Sequence, residues 1–382
     1  MSEGPEKEAV EREKQVEKEK RDKKREDRIH LVLSSLLVFM SYIFYSDYSS
    51  FRQQAPALNI KMRDLSDFWI ICLVAVFINL VRRLFDVVLR APLESRIIAA
   101  NGANIPDLDL RREKCTRQVF DFFYYFGVYV YGRLIAYDID YLPDCIGGAG
   151  NCDSLGKYWP RIPLFDKMRW YIIIQFAHHL HNLIYHMISM RNVGNYFEMI
   201  THHYAACVSL FYSYFTNWED YAFIILICHD LSDGFLNFGK VLRDLGYGNS
   251  IAMYANFALL AFYWFYHRTI IIGSCYFYKT YEYYWWKSPF PQYENLWLSV
   301  RRGVNFIIFN IFIIWCLNIL WWTQIVKIGI NKFIKKKKWV SEHEGEIDPD
   351  KLNKTIGENG VNGVVNGSKS AKNGEGSKPK TE

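Results

Sequence analysis

Apolar residues in this chain recur as eight runs, near 30–47, 67–89, 118–137, 168–190, 201–216, 220–238, 250–277 and 302–326. Most approach the roughly 20 residues that a helix needs to cross a bilayer. A spanning segment must satisfy its own backbone polar groups, so helices are expected and open sheets are not. Composition agrees, with 51% of the 382 residues apolar and 17% aromatic. That suits several membrane spans and poorly suits an ordinary soluble domain. Mean hydropathy is only −0.08, because both ends are strongly polar and dilute the apolar middle. The expected fold is all-α, a polytopic membrane protein with about eight transmembrane helices.

The net charge of +6 is a tail effect. Lys and Arg crowd into Lys7–Arg28 and Lys327–Lys338, flanking the first and last runs. This reads as membrane orientation and contact with anionic lipid. Nucleic-acid binding is the weaker reading, since no recognised motif accompanies the charge. Residues 1–28 have too little apolar surface to fold alone and read as a frayed helix or a disordered arm. The tail 348–382 is rich in Gly, Asn, Lys and Ser and reads as disordered. Basic residues also fill the loop between the second and third runs, whereas Asp138, Asp140, Asp144 and Asp153 follow the third. With eight spans, the positive-inside rule puts both termini in the cytosol. Arg301 and Arg302 are the exception. The cluster Tyr281-Glu282-Tyr283-Tyr284-Trp285-Trp286 fits an interfacial belt.

Two adjacent runs carry the chemistry. Residues 198–240 read EMITHHYAACVSLFYSYFTNWEDYAFIILICHDLSDGFLNFGK. The first run opens with His202-His203, and the second carries His229-Asp230 and then Asp233. Ionisable groups inside apolar helices are functional-site candidates by default. Counted from the polar break at Asn217-Trp218, the His pair lies about 15 residues back, or about 22 Å at helical rise. The Asp pair lies about 13 and 16 residues forward, so in antiparallel helices the two pairs reach a similar depth. His229 and Asp233 share a face at i,i+4, and Asp230 and Asp233 at i,i+3. His202 and His203 diverge by about 100°, so at most one points straight at a given partner. A lone His pair at a helix start is commonly just a polar contact. Two carboxylates within an apolar run need partners or water. Together they suit proton transfer near neutral pH, or a His nucleophile oriented by a carboxylate.

Other polar residues are read more plainly. His178, His179, His181 and His186 invite a di-iron reading, but no HxxxH or HxxHH spacing occurs, so no metal is expected. His178 and His181 would be the ligands otherwise. His267-Arg268 lie too far along a straight helix to bond the hairpin set, and snorkelling to the interface is expected there. Of eight cysteines, Cys72, Cys207, Cys228, Cys275 and Cys316 read as small core residues. Only Cys145 and Cys152 share a polar loop, where a lumenal location would permit a disulfide; whether the two pair is left open by the sequence.

The segments NYFEMITHHYAAC and YFTNWEDYAFIILICHDLSDGFLNFGKVL resemble the signature of ceramide synthases, members of the TLC-domain family. Those enzymes have an HH pair followed by HDxxD at this interval and then a Lys. The likeness is strong over roughly 155–275 and looser over 115–330. The chain departs from the family pattern in carrying several His in span four and Trp218-Glu219-Asp220 in the hairpin loop. The resemblance implies six helices forming a TLC-type core around a lipid cavity. It divides the chain into a charged cytosolic arm (1–29), two accessory helices with a basic loop (30–114), a TLC catalytic domain (115–330) and a disordered cytosolic tail (331–382).

The implied activity is transfer of a fatty acyl group from acyl-CoA to the amine of a sphingoid base, giving (dihydro)ceramide. Acyl-CoA enters as a co-substrate, and no permanently bound cofactor is expected. The expected partners are acyl-CoA, the sphingoid base and membrane lipids, with no nucleic acid; a homo- or heterodimer is compatible. His202, His203, His229, Asp230 and Asp233 are the implied catalytic set, in the endoplasmic reticulum membrane. The alternative is a non-catalytic lipid sensor or membrane-protein chaperone on the same fold.

Overall fold

The computed structural model describes residues 4–101, 108–150, 152, 154–156, 159–160, 166–189, 196–278, 280 and 293–336, with side chains before residue 40 only in part. Two compact units divide the chain, Met1–Ile330 and Asn331–Glu382. The second is described over 331–336 alone, so the expected disordered tail lies outside the described residues, as does the aromatic cluster at 281–286.

The first unit is all-α. Its helices are α1 (Gly4–Gln54), α2 (Asp67–Asn101), α3 (Leu108–Ala136), α4 (Asp166–Ser189), α5 (Tyr196–Phe215), α6 (Glu219–Asp244), α7 (Ile251–Tyr263) and α8 (Glu294–Gly329). A π-helical segment, Trp264–Tyr278, continues α7. Each apolar run falls on one of these helices. The charged arm is helical from Gly4 and shares α1 with the first run. Three helices, α2, α6 and α8, are long and apolar enough to cross a membrane by length and composition. No strand occurs among the described residues, only an isolated bridge between Pro143 and Gly150.

Helix α3 packs on α6, α2 lies against α3 and α4, α4 meets α5, and α5 and α1 meet α8. Local chemistry sets the helix ends. Ser250 Oγ accepts from the Met253 amide at 3.2 Å and caps α7. Gly246, at φ 84°, lets the chain leave α6. Asn217, at φ 60°, reverses the chain between α5 and α6, a conformation that Asn tolerates better than most residues.

The α5–α6 turn is held by buried polar contacts. Arg63 donates to both carboxylate oxygens of Glu219, at 2.6 and 2.9 Å. Asp220 accepts from the Gly156 amide at 2.9 Å, and Asn217 donates to the carbonyls of Lys61 and Pro160. Glu219 and Asp220, which stand out in the sequence, thus tie the turn to the segments before α2 and α4.

A further buried carboxylate lies near one of the two exceptional arginines, Arg302 in α8. Asp47 of α1 accepts from Tyr212 Oη at 2.9 Å and the Gly303 amide at 3.0 Å, and Arg302 lies 3.8 Å away. Gly303 permits this approach, because a Cβ there would stand 2.2 Å from the Tyr212 ring.

The open cysteine question resolves on a different pair, and Cys275 is not the plain core residue expected. Cys152 pairs with Cys275, at a Cα separation of 5.8 Å, and Cys145 is free and exposed. Cys145 sits in a 3₁₀ turn, Asp144–Ile146, closed by Gly147 at φ 97°. Cys152 is instead buried against the end of the π segment. Sharing a loop in sequence placed Cys145 no closer to bonding geometry.

Candidate active site

Helices α3, α4, α5, α6 and α8 with the π segment contribute to one elongated cavity. His179, His202, His229, Asp230 and Asp233 gather along its polar part. Leu210, Ile307, Ile311 and Ile314 supply apolar wall, and Tyr221 and Tyr276 line it near the α5–α6 turn. From His202 to Ser213, both lining residues, the helical rise gives a length of about 16 Å. A long apolar space with converging polar groups is what a lipid-like ligand needs.

The two histidines of α5 face different neighbours, as their divergence of about 100° requires. His202 lies toward α6 and α8, with ring centroids 6.3 Å from His229 and 5.4 Å from Trp321. Its Nδ1 is buried without a hydrogen-bond partner. His203 turns to α4. Its Nδ1 is 3.4 Å from His179 Nδ1, and its ring is 5.0 Å from that of His186. His203 does not line the cavity.

The polar trio of α6 divides among three helices. Asp230 faces α4, where it accepts from Tyr171 Oη and Gln175 Nε2, both at 2.6 Å. Tyr171 and Gln175 are four residues apart and share a helix face. Asp233 pairs with Arg268 Nη2 at 2.5 Å. His229 Nδ1 bonds the Ile225 carbonyl at 2.6 Å. A carbonyl only accepts, so Nδ1 carries the ring proton and Nε2 a lone pair. Asn318 Nδ2, at 2.9 Å, donates to that lone pair. Among the described residues, neither carboxylate bonds an imidazole.

Arg268 corrects the expectation that it lies too far away. It is 1% exposed and packs 3.8 Å over Trp264. It donates to Ser232 Oγ at 2.6 Å and the His229 carbonyl at 2.8 Å, besides its pair with Asp233. Side chains lean toward the N-terminus of their own helix, so in antiparallel partners the two lean toward each other. That lean, with the length of an Arg, covers the offset that a straight-helix count left open. The network is closed by Asn318, whose Oδ1 takes Arg268 Nη1 at 3.4 Å and whose carbonyl takes Trp264 Nε1 at 3.0 Å.

Four contributors were absent from the sequence reading: Tyr171, Gln175, Arg268 as a partner, and Asn318. Gln175 and Asn318 are isolated amides in apolar runs, IIIQFA and WCLNIL. A buried amide needs partners, so those two carried a readable signal. Tyr171 carried none.

Metal capacity also falls on a different set from the one weighed in the sequence. His178 Nε2 is engaged by Asn182 Nδ2 at 2.9 Å, with Tyr125 Oη at 3.2 Å. One nitrogen from each of His179, His202 and His203 instead lies within 4.8 Å of the others, the one such trio among the described residues.

A helical shell with three helices long and apolar enough to span, and buried ionisable groups gathered on one cavity, define a protein of the all-α membrane type. The TLC domain model matches residues 114–327, more than half of the chain, and the protein belongs to that family. It is similar to Sphingosine N-acyltransferase lag1 of Schizosaccharomyces pombe, 27% identical over 157 residues. That match covers 41% of this chain and 38% of the yeast protein.

Proposed function

We propose that the protein is a ceramide synthase, moving a fatty acyl group from acyl-CoA to the amine of a sphingoid base. One observation carries the reading. An imidazole nitrogen of His202 is buried without a partner on the wall of a cavity that runs on into apolar surface. The yeast relative's printed activity and the TLC domain support the same assignment.

The chemistry fits the available groups. A thioester has a good leaving group, and a protonated amine cannot attack, so a base is required. In the covalent route, a His202 nitrogen forms a bond to the acyl carbon as the C–S bond breaks, and the proton shed by the ring's other nitrogen lets CoA leave as the thiol. The amine then displaces the imidazole and loses its proton to the site. In the direct route, His202 takes the amine proton while nitrogen attacks the thioester. His229 has its lone pair engaged by Asn318, which makes it a polarising neighbour and not the first base. Arg268 pairs with one oxygen of Asp233 beside the cavity, and the carboxylate's remaining acceptor capacity can take the proton that the amine releases. Asp230, held by Tyr171 and Gln175, fixes α6 against α4. The protein would act in the endoplasmic reticulum membrane, with both termini cytosolic and the segment 115–330 as its catalytic domain.

The test is incubation of purified protein with a long-chain acyl-CoA and sphinganine, beside His202→Ala and Asp233→Ala. Ceramide from the wild type, with at least a tenfold loss in each variant, is the expected result. Product from both variants at the wild-type rate refutes the assignment. Single-turnover trapping separates the two routes, since only the covalent one leaves an acyl group on the enzyme.

A further inference from the structure

Beside the imidazoles, α2, α3 and α4 enclose a second cluster. Arg82 of α2 is 7% exposed, and its Nη1 is buried with no hydrogen-bond partner. Its guanidinium carbon lies 4.2 Å from the centre of the Tyr185 ring, and that of Arg117 lies 4.3 Å from the same centre. Stacking on an aromatic ring orients a guanidinium but leaves its N–H donors unsatisfied. His181 stacks on Tyr185 at 6.5 Å, and its Nδ1 is also buried without a partner.

The charge balance is lopsided. Arg82 feels Arg117 and Arg83 on one side of the balance and Asp121 on the other. Asp121 lies 3.7 Å from Arg117. One carboxylate therefore faces at least two guanidinium groups. Buried charge without a counter-ion is strongly unfavourable, and in a membrane protein such groups mark a ligand path. The planar guanidinium fork matches phosphate oxygens. The cluster also adjoins the candidate active site, because the His186 ring lies 6.0 Å from Tyr185 and 5.0 Å from His203.

We propose that Arg82 and Arg117, braced by Tyr185, bind phosphate-ester oxygens, and that the occupant is the diphosphate of the acyl donor. The identity of the occupant rests on the acyl-CoA reading above. Phosphate held here tethers the donor on the α2–α3–α4 side, and its thioester reaches the cavity past His186 and His203.

The experiment uses the full chain in nanodiscs of phosphatidylcholine alone. Binding of CoA and of inorganic pyrophosphate is measured by calorimetry for the wild type, Arg82→Gln, Arg117→Gln and the double variant. Turnover is measured with acyl-CoA and with the acyl-N-acetylcysteamine thioester, which lacks phosphate. The expected result is about tenfold weaker CoA binding in each single variant, with the preference for acyl-CoA over the short thioester falling by a similar factor. Arg82→Lys and Arg117→Lys keep the charge and lose the fork, so smaller losses are expected; they carry the test if the Gln variants do not accumulate. Equal loss on both thioesters with unchanged CoA binding overturns the proposal in favour of a structural role. Unchanged CoA binding, with a stability gain from added phosphatidylserine that the variants lose, assigns the cluster to lipid headgroups and overturns the occupant. Wild-type binding of CoA that the variants weaken, without product from either thioester, refutes the acyltransferase reading and leaves the phosphate site standing.

Discussion

The two ends of the α5–α6 hairpin both bury ionisable residues, and they do so differently. At the turn, each carboxyl group has its partner: Glu219 takes two bonds from Arg63, and Asp220 takes the amides of Gly156 and Tyr221. At the other end, the Nδ1 atom of His202 is buried with no partner, as are those of His178 and His181 on the neighbouring α4. Burial alone therefore does not separate function from architecture here. Satisfaction does. A closed pair such as Arg63–Glu219 has no capacity left for a substrate, whereas an orphaned imidazole on a cavity wall has a lone pair or a proton to offer.

The comparison breaks most visibly at His202. His202→Ala should lower ceramide formation by about 10³-fold or more, the scale expected when a nucleophile or general base is lost. Its unfolding midpoint should stay close to the wild type, because no hydrogen bond is lost. Retention of a tenth of the wild-type rate would place the reacting group elsewhere. Glu219→Ala should give the opposite signature. Arg63 would be left buried and unpaired, at a cost of about 3–5 kcal/mol. Thermal unfolding in detergent should show the loss, while the rate per folded molecule is kept. A large rate loss with normal stability would mean that the turn takes part in the chemistry.

How much of this could be read beforehand follows the range of each interaction. The eight helices were legible because apolar runs of span length leave the backbone few alternatives. His202, His229, Asp230 and Asp233 were legible as polar residues at a shared depth, and the structure puts all four on one cavity. Their partners were not. Arg268 lies 35 positions from Asp233 along the chain, and the bond depends on the lean of two side chains, which spacing does not encode. The Cys152–Cys275 pair spans 123 positions, so the nearer Cys145 looked the better candidate. Gln175 and Asn318 were visible as lone amides but had no stated partner until α4, α6 and α8 came together.

A smaller effect should sharpen the site end. Asn318 links Arg268 to His229 through both ends of its amide. Asn318→Ala removes the donor that occupies His229 Nε2 and one acceptor of Arg268. The expected destabilisation is about 1–3 kcal/mol, the penalty for orphaning a buried polar group. Turnover should fall by about tenfold, since Arg268 and His229 lose a common brace while His202 is untouched. Asn318→Asp should not restore the rate, because a carboxylate accepts from Arg268 but cannot donate to His229. Recovery in Asn318→Asp would mean that only the Arg268 contact matters.

The smallest expected effect is at Cys145. Cys145 is exposed and free, whereas Cys152 and Cys275 are bonded to each other. A maleimide reagent should label Cys145 in the folded protein without reductant, and should reach Cys152 and Cys275 only after reduction and unfolding. Cys145→Ser should change stability by less than about 0.5 kcal/mol, as expected of an exposed substitution in which a hydroxyl can keep the thiol's contact with Tyr266. Cys275→Ser should cost several kcal/mol more, because it frees a loop of 123 residues that the chain-entropy model makes worth about 4–5 kcal/mol. If Cys145→Ser proved the costlier of the two, the bond would join the neighbours in sequence after all. The π segment would then lose its covalent tie at Cys275, and with it one of the restraints that set the depth of Arg268 beside Asp233.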